Sequence, residues 1–347
     1  MKTSANSRRS RRPGFPVDPF SWFSRFNRVR SRRLQLLPRQ GTRLAVLAGA
    51  LLLALGTLSW DRSPEAPATE IPHVGEIAPS LSLPVEVNEK VEGWMERYLT
   101  DQRPVFERYL AREGLYSDMI RDALRRRGMP QDLMYLAAIE SGYSPQATSR
   151  VSASGMWQFM GPTAQQFGLR IDQWVDERRD PIRATDAALD YLQSLYDRFG
   201  SWYLAAAAYN AGPTRVARVL RAHAGDQTGD EALYWEIIEH LPRETRAYVP
   251  KMLAAILLAQ AAQGYGFQVE EAQPVRFDRV WVPGGTRLSV VAEAMEVPLK
   301  TMRELNPHLR RGITPPGEPF ALRVPEGRSH RVVASLGSRW RQVVVDD

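Results

Sequence analysis

Residues 133–164, LMYLAAIESGYSPQATSRVSASGMWQFMGPTA, decide how this chain is read. An apolar run at helical spacing, Leu133 to Ile139, carries the carboxylate of Glu140 to its end. It then breaks into small polar residues and resumes in Trp157-Gln158-Phe159-Met160. A Glu in such a place is most often a solvated helix end. The alternative is chemical: a carboxyl among apolar neighbours resists ionisation and keeps a proton near neutral pH, as a general acid must. Leu136, Ala137 and Tyr143 neighbour Glu140 at helical spacing, so on spacing alone both readings stand.

Outward from this stretch the pattern is helical. Val91, Trp94, Met95 and Tyr98 share a face, as do Phe106, Tyr109 and Leu110, and then Met119, Ile120 and Leu124. Gly128-Met129-Pro130 ends that run and Pro130 opens the next. Further helices are expected over 184–199, 201–211, 232–239 and 245–263, and strand patterns are scarce before Val275. The expected fold class is therefore mainly α, with an all-helical domain over 85–270 and something smaller after it.

The chain has 347 residues, 44% hydrophobic, enough for one sizeable core and a smaller one. Cysteine is absent, which excludes disulfides, a thiol nucleophile, thiolate metal sites and a lipid-modified N-terminal Cys. The five histidines are scattered and form no His-Glu-x-x-His pair, so neither a metal nor a cofactor is expected.

The net charge of +7 is unevenly placed: residues 1–43 hold twelve Lys and Arg against Asp18 alone, or +11, which leaves −4 for the rest. Basic and aromatic residues are not interleaved beyond this arm, and no nucleic-acid partner is expected. LAVLAGALLLALGTL, 44–58, follows the arm. It is uncharged and slightly short for a bilayer span of roughly 20 residues. With the positive charge before it, the run over 44–60 reads as a signal-anchor, with inner-membrane lipid as its partner, the arm 1–43 in the cytoplasm and the remainder in the periplasm. The competing readings are a signal cleaved near Ala66-Pro67-Ala68 and a buried helix. Prolines at 64, 67, 72, 79 and 84 mark 61–84 as a linker, which extended at about 3.1 Å per residue reaches on the order of 75 Å.

ESGYSPQATSRVSASGMWQFMGPTA at 140–164, AAAAYNAGPTRV at 205–216 and PRETRAYVPKMLAA at 242–255 together resemble, in order, the motifs of the lytic transglycosylase catalytic domain, close to the membrane-bound murein D type. The resemblance implies a lysozyme-like helical fold with a cleft for peptidoglycan glycan strands, and it places the catalytic acid on Glu140. It also implies substrate-binding roles for Ser149, Gln158, Met160, Tyr209, Asn210, Glu244 and Tyr248. On the residues alone, Ser149 is equally a loop hydroxyl, Met160 a core filler, and Glu244 a helix cap or a partner of Arg246. D-type members are often lipoproteins, and this chain has no Cys to lipidate.

After Pro274 the character changes. Residues 275–326 read strand, turn, two short helices, loop, strand, and resemble a LysM module through Gly284, Leu288, Ala292, Leu305-Asn306-Pro307 and Pro316-Gly317. The usual Gly-Asp-Thr-Leu turn is replaced by Gly284-Gly285-Thr286-Arg287-Leu288, so glycan binding and a purely structural cap are both open; 327–347 is a tail. The function implied is non-hydrolytic cleavage of the β-1,4 bond between N-acetylmuramic acid and N-acetylglucosamine, giving 1,6-anhydromuramoyl ends. The runner-up enzyme is a hydrolytic muramidase, which needs a second carboxylate to activate water, drawn from Asp172, Asp176, Asp180 or Asp186. A catalytically weak wall-binding scaffold is the non-enzyme alternative, and other cell-wall proteins are possible partners.

Overall fold

The computed structural model describes residues 81–336; the expectations for the arm, the apolar run, most of the linker and the end of the tail lie outside the described residues. Helix α1 (Glu89–Leu99) begins where the Asn88 side chain accepts from the backbone N–H groups of Lys90 and Val91, filling two of the donors a helix start leaves open. Helix α2 (Arg103–Arg126) has Pro104 in its first turn and one buried stripe through Phe106, Leu110, Ile120 and Leu124. A 3-10 turn, Gln131–Met134, leads into α3 (Tyr135–Ser141). After a long loop come α4 (Gly161–Gln166), α5 (Pro181–Phe199), α6 (Trp202–Ala211), α7 (Pro213–Ala224), α8 (Ala232–Ile237) and α9 (Arg243–Gln260). Helix α7 was not anticipated as a separate element, although Gly212 at φ +88 before Pro213 is the break that starts it.

Two helices fill the centre. In α6 everything from Trp202 to Ala208 is buried, and its run of four alanines lets neighbouring helices approach closely. Helix α9 is buried from Tyr248 through Leu258 apart from Lys251, with Pro250 in its interior. A proline there has no N–H to offer the carbonyl four residues back, that of Arg246. The Tyr234 hydroxyl, 3.2 Å from that oxygen and 3.1 Å from the Thr245 oxygen, donates in its place.

A strap then crosses α2 on the way to the C-terminal module. The Ala272 N–H donates to Ala111 O at 2.9 Å, and a Cβ on Gly114 would lie 2.1 Å from Ala272 O, so only glycine lets the strap lie this close. The module pairs β1 (Phe277–Val282) antiparallel with β2 (Phe320–Pro325), from Phe277 opposite Pro325 to Val282 opposite Phe320. Between them lie α10 (Leu288–Ala294) and α11 (Leu299–Leu305), and α12 (Ser329–Leu336) follows. Its core of Val280, Val282, Leu288, Val291, Met295, Met302, Leu322 and Val324 also takes in Val175, a residue of the helical body.

Candidate active site

Helix α3 explains how an acid is carried inward. Tyr135 to Ile139 are all buried, and the helix ends one residue after Glu140 because Gly142 takes the left-handed conformation, φ +61. A Cβ at Gly142 would meet the Tyr109 ring at 2.9 Å, so the turn has both a conformational and a steric reason to be glycine. The Ser141 hydroxyl donates to Met156 O at 2.7 Å and accepts from the Ser144 N–H, tying the helix end to the loop that follows. Glu140 is left half-buried at the wall of a cavity of about 180 Å³.

The carboxyl is held from α9. The Tyr248 hydroxyl donates to Glu140 Oε1 at 2.6 Å, and one turn further along, Lys251 Nζ donates to Ile139 O at 3.0 Å. Burial pushes the Glu140 pKa up to about 7; the Tyr248 bond and the Lys251 charge pull it down, and Glu244 pushes it up again. Tyr248 itself is raised well above the usual tyrosine value, first by burial and then by Glu140, so near neutral pH it is a neutral donor.

The residues singled out by motif gather around this group, though several turn their polar atoms elsewhere. Ser149, Gln158, Met160, Tyr209, Asn210 and Glu244 line the cavity with Glu140. Ser149 Oγ accepts from the Ala153 N–H at 2.9 Å, an ordinary loop bond. Gln158 sits at φ +49, and its amide nitrogen donates to Gly155 O at 2.7 Å. That leaves its carbonyl oxygen as the end able to accept from a sugar acetamido N–H. The Tyr209 hydroxyl donates to Trp157 O at 2.7 Å, so its polar tip is engaged within the protein, and its ring lies 5.2 Å from that of Tyr191. Asn210 is committed at both ends: it donates to Glu244 Oε1 at 3.0 Å and accepts from Thr245 Oγ1 at 2.8 Å. Arg246, weighed as a partner for Glu244, instead bonds Glu239 at 3.0 Å.

Residues 118–231 match the transglycosylase SLT domain, and residues 276–338 match the LysM-like domain of the lytic transglycosylase MltD. The chain carries a transglycosylase SLT domain. Membrane-bound lytic murein transglycosylase D of Escherichia coli (strain K12) is 28% identical over 264 residues, 76% of this chain and 57% of that protein. The chain thus spans little more than half the length of that relative. Soluble lytic murein transglycosylase of the same strain is 34% identical over 146 residues, 40% of this chain and 22% of its own. The crystal structure of the Escherichia coli 70 kDa soluble lytic transglycosylase covers 43% of this chain and 24% of its own at 31% identity, with a TM-score of 0.35. The fold is mainly α, a helical body that includes the SLT match, with a small α+β LysM-like module after it.

Within the SLT domain the four aspartates weighed as water activators are all engaged away from the cavity. Asp172 accepts from the Trp174 and Val175 N–H groups and from Arg170; Asp176 pairs with Arg178; Asp180 caps α5; Asp186 pairs with Arg127. Glu244 is the carboxylate that shares the cavity with Glu140. Sequence reasoning passed over Tyr191 and Lys251. Tyr191 lies on α5 beside its buried leucine stripe, half-buried where Leu189 and Leu192 are fully buried, and it joins Phe159 and Tyr209 in an aromatic wall. Lys251 lies three residues after Tyr248, on the same side of α9, and that spacing was the available signal. Among the described residues no three His, Asp or Glu side chains converge as metal ligands would.

Proposed function

We propose that the chain is a peptidoglycan lytic transglycosylase that cleaves the β-1,4 bond between N-acetylmuramic acid and N-acetylglucosamine, with Glu140 as both acid and base. The observation that carries this reading is the half-buried Glu140 carboxyl, held by Tyr248 at 2.6 Å and with its pKa raised to about 7, in a cavity whose other carboxylate, Glu244, accepts a bond from Asn210 at 3.0 Å. Near neutral pH a large fraction of Glu140 keeps its proton. It gives that proton to the glycosidic oxygen as the C1–O4 bond breaks. The substrate's own acetamido group relieves the positive charge developing at C1. The muramoyl C6 hydroxyl attacks C1, a C1–O6 bond forms, and the hydroxyl proton returns to the Glu140 carboxylate. No water is consumed and the acid is regenerated, unlike the two-carboxylate schemes of ordinary glycosidases.

The remaining residues bind and orient. The rings of Tyr191, Tyr209 and Phe159 suit the apolar faces of sugars, and Gln158 and Ser149 suit their acetamido and hydroxyl groups. Glu244 orients Asn210 and raises the acidity threshold of Glu140 through charge. Residues 85–270 form the catalytic domain in this account and 275–326 the LysM-like module. The basic arm and the apolar run support an inner-membrane anchor with the catalytic domain in the periplasm, in line with an Escherichia coli relative whose name is membrane-bound. Among the described residues no helix is long and apolar enough to cross a membrane, so the anchor rests on residues 44–60.

The test is Glu140→Gln, which keeps the acceptor for Tyr248 and removes the proton. The variant should fold, bind glycan and lose turnover by about three orders of magnitude or more. Turnover near wild type would remove Glu140 from the mechanism.

A further inference from the structure

Besides the strap over α2, segment 172–180 ties the LysM-like module to the SLT domain, and the other side of that segment supports the cavity loop. On the module side, Val175 lies in the module's core and bridges Leu309; the Asp176 N–H donates to His308 O, and the Arg310 N–H donates to Trp174 O, both at 2.9 Å. Asp180 is the anchor. Its carboxylate accepts from Arg323 Nη2 at 2.8 and 2.7 Å and also caps α5 through the Ile182 and Arg183 N–H groups. Arg323 is in turn fixed by Asn306, whose amide donates to Arg323 O at 2.8 Å and accepts from Arg323 N at 3.0 Å.

This cross-domain pair is built into a buried setting: Asp180, Arg323 and His308 are 4%, 8% and 5% exposed. Burial alone would raise the Asp180 pKa, but Arg323 above all holds it below the usual carboxylate range. Burial pushes His308 down to about 4, against the pull of Asp180, so near neutral pH the ring is uncharged and Arg323 is the cation that matches Asp180. A charge pair of this kind is costly to break from one side, because the partner is left buried and unpaired.

On the cavity side, Arg178 clamps the segment to the loop. Its Nε and Nη2 donate to the Asp176 carboxylate at 2.9 and 2.8 Å, while Nη1 donates to Ser152 O at 2.8 Å and Phe159 O at 3.1 Å. Arg179 donates to Thr148 Oγ1 at 3.0 Å. Gly155 lies so close that a Cβ would fall 1.6 Å from Arg178 O. The loop needs such support, since Ser152 and Gln158 both sit at positive φ, +65 and +49. A residue with a Cβ in that conformation is strained and persists only when its surroundings over-determine it. This loop carries Ser149 and Gln158 and leads to Met160, all lining the cavity beside Glu140.

We propose that the LysM-like module is a brace for the active-site loop, with Arg323 as a positioning residue that acts through Asp180 and the 172–180 segment. The role rests on the function proposed above, yet part of its test needs no turnover. In the full-length chain in detergent, Arg323→Met should lower kcat on glycan strands by about tenfold or more, since small misplacements of positioning groups cost that much. Hydrogen exchange of the backbone amides over 147–159 should quicken by about tenfold. Arg323→Lys, which keeps the charge and loses the paired donors, should fall between Met and wild type, and it carries the same test if the Met variant does not fold. Arg331→Ala, which breaks an exposed pair with Glu296 on the module, should leave kcat and loop exchange unchanged. Wild-type exchange over 147–159 in a folded Arg323 variant overturns the brace, and so does faster exchange with unchanged kcat. If the wild-type chain makes no anhydro ends, the transglycosylase reading falls, while the exchange measurement still decides whether the module supports the loop.

Discussion

Replacing Glu140 by glutamine tests the burial of the acid with no substrate present. Its pKa is raised from 4.5 to about 7 in the folded chain, with burial as the leading cause. Each pH unit by which folding moves a pKa is worth about 1.4 kcal/mol, so a wholly dry carboxyl would account for about 3 kcal/mol. Glu140 is half-buried and opens on the cavity, where water screens it, and about half of that figure is the better expectation. The sign follows from the raised value. Glu140's contribution to stability is complete below the unfolded pKa near 4.5 and is lost as the pH rises through about 7. Glutamine does not titrate, and it keeps the bond from Tyr248. The stability of Glu140→Gln relative to wild type should therefore increase between about pH 4.5 and 7 and level off above. For a folded unit of this size 1 kcal/mol moves Tm by about 2–4 °C, so the Tm difference should grow by roughly 3–6 °C between pH 5 and 8. Paired thermal melts by circular dichroism at pH 5, 6, 7 and 8 measure it. Parallel curves, or a variant that loses relative stability as pH rises, would refute the claim that folding holds this proton.

Turnover by the wild-type chain should decline as pH rises above about 7, because the step begins with a protonated Glu140; a rate that keeps climbing to pH 9 contradicts that role. Lys251→Met removes a charge that lowers the Glu140 pKa, so the alkaline limb of the pH–rate profile should move to higher pH, and an unmoved limb would show that this lysine does not tune the acid. Tyr248→Phe should shift the same limb upward and also lower kcat by about 10- to 100-fold, read from steady-state rates on purified glycan. Asp180→Asn should weaken the chain at neutral pH and flatten its acid transition. The wild-type pair is complete above the ordinary aspartate pKa of about 3.9 and is lost as pH falls through the lower folded value, which acid titration followed by circular dichroism reads directly.

The stretch around Glu140 was legible because it joins two signals that seldom coincide, an apolar helical run and an acid followed by small polar residues. Local bonds such as the Ser149 loop contact also sit where turn chemistry expects them. What stayed hidden were long-range pairings and side-chain directions. Asp180 read as a possible water activator, because nothing in its surroundings announces an arginine 143 residues later in the chain. Tyr209 and Asn210 read as sugar-facing groups, but a buried hydroxyl and amide must be satisfied, and Trp157 O, Glu244 and Thr245 are nearer than any ligand. The left-handed Gln158 breaks the local preference of a residue with a Cβ, so no propensity argument could have placed it. The two-stranded module was legible in outline from its strand, helix, helix, strand pattern. Its docking was not, since Val175 looks in sequence like an ordinary residue of the helical body.

The most direct test of the account is the chemistry of the product ends. Intact sacculi digested by the purified chain should yield muropeptides lighter by one water than those from a hydrolytic muramidase, with ends that resist borohydride because an anhydro ring has no free aldehyde. The proposed reaction requires the C6 hydroxyl to be held within attacking distance of C1, where its effective concentration would far exceed that of a competing water. Full-mass ends that borohydride reduces would contradict the account and make Glu244, which shares the cavity, the candidate for activating water.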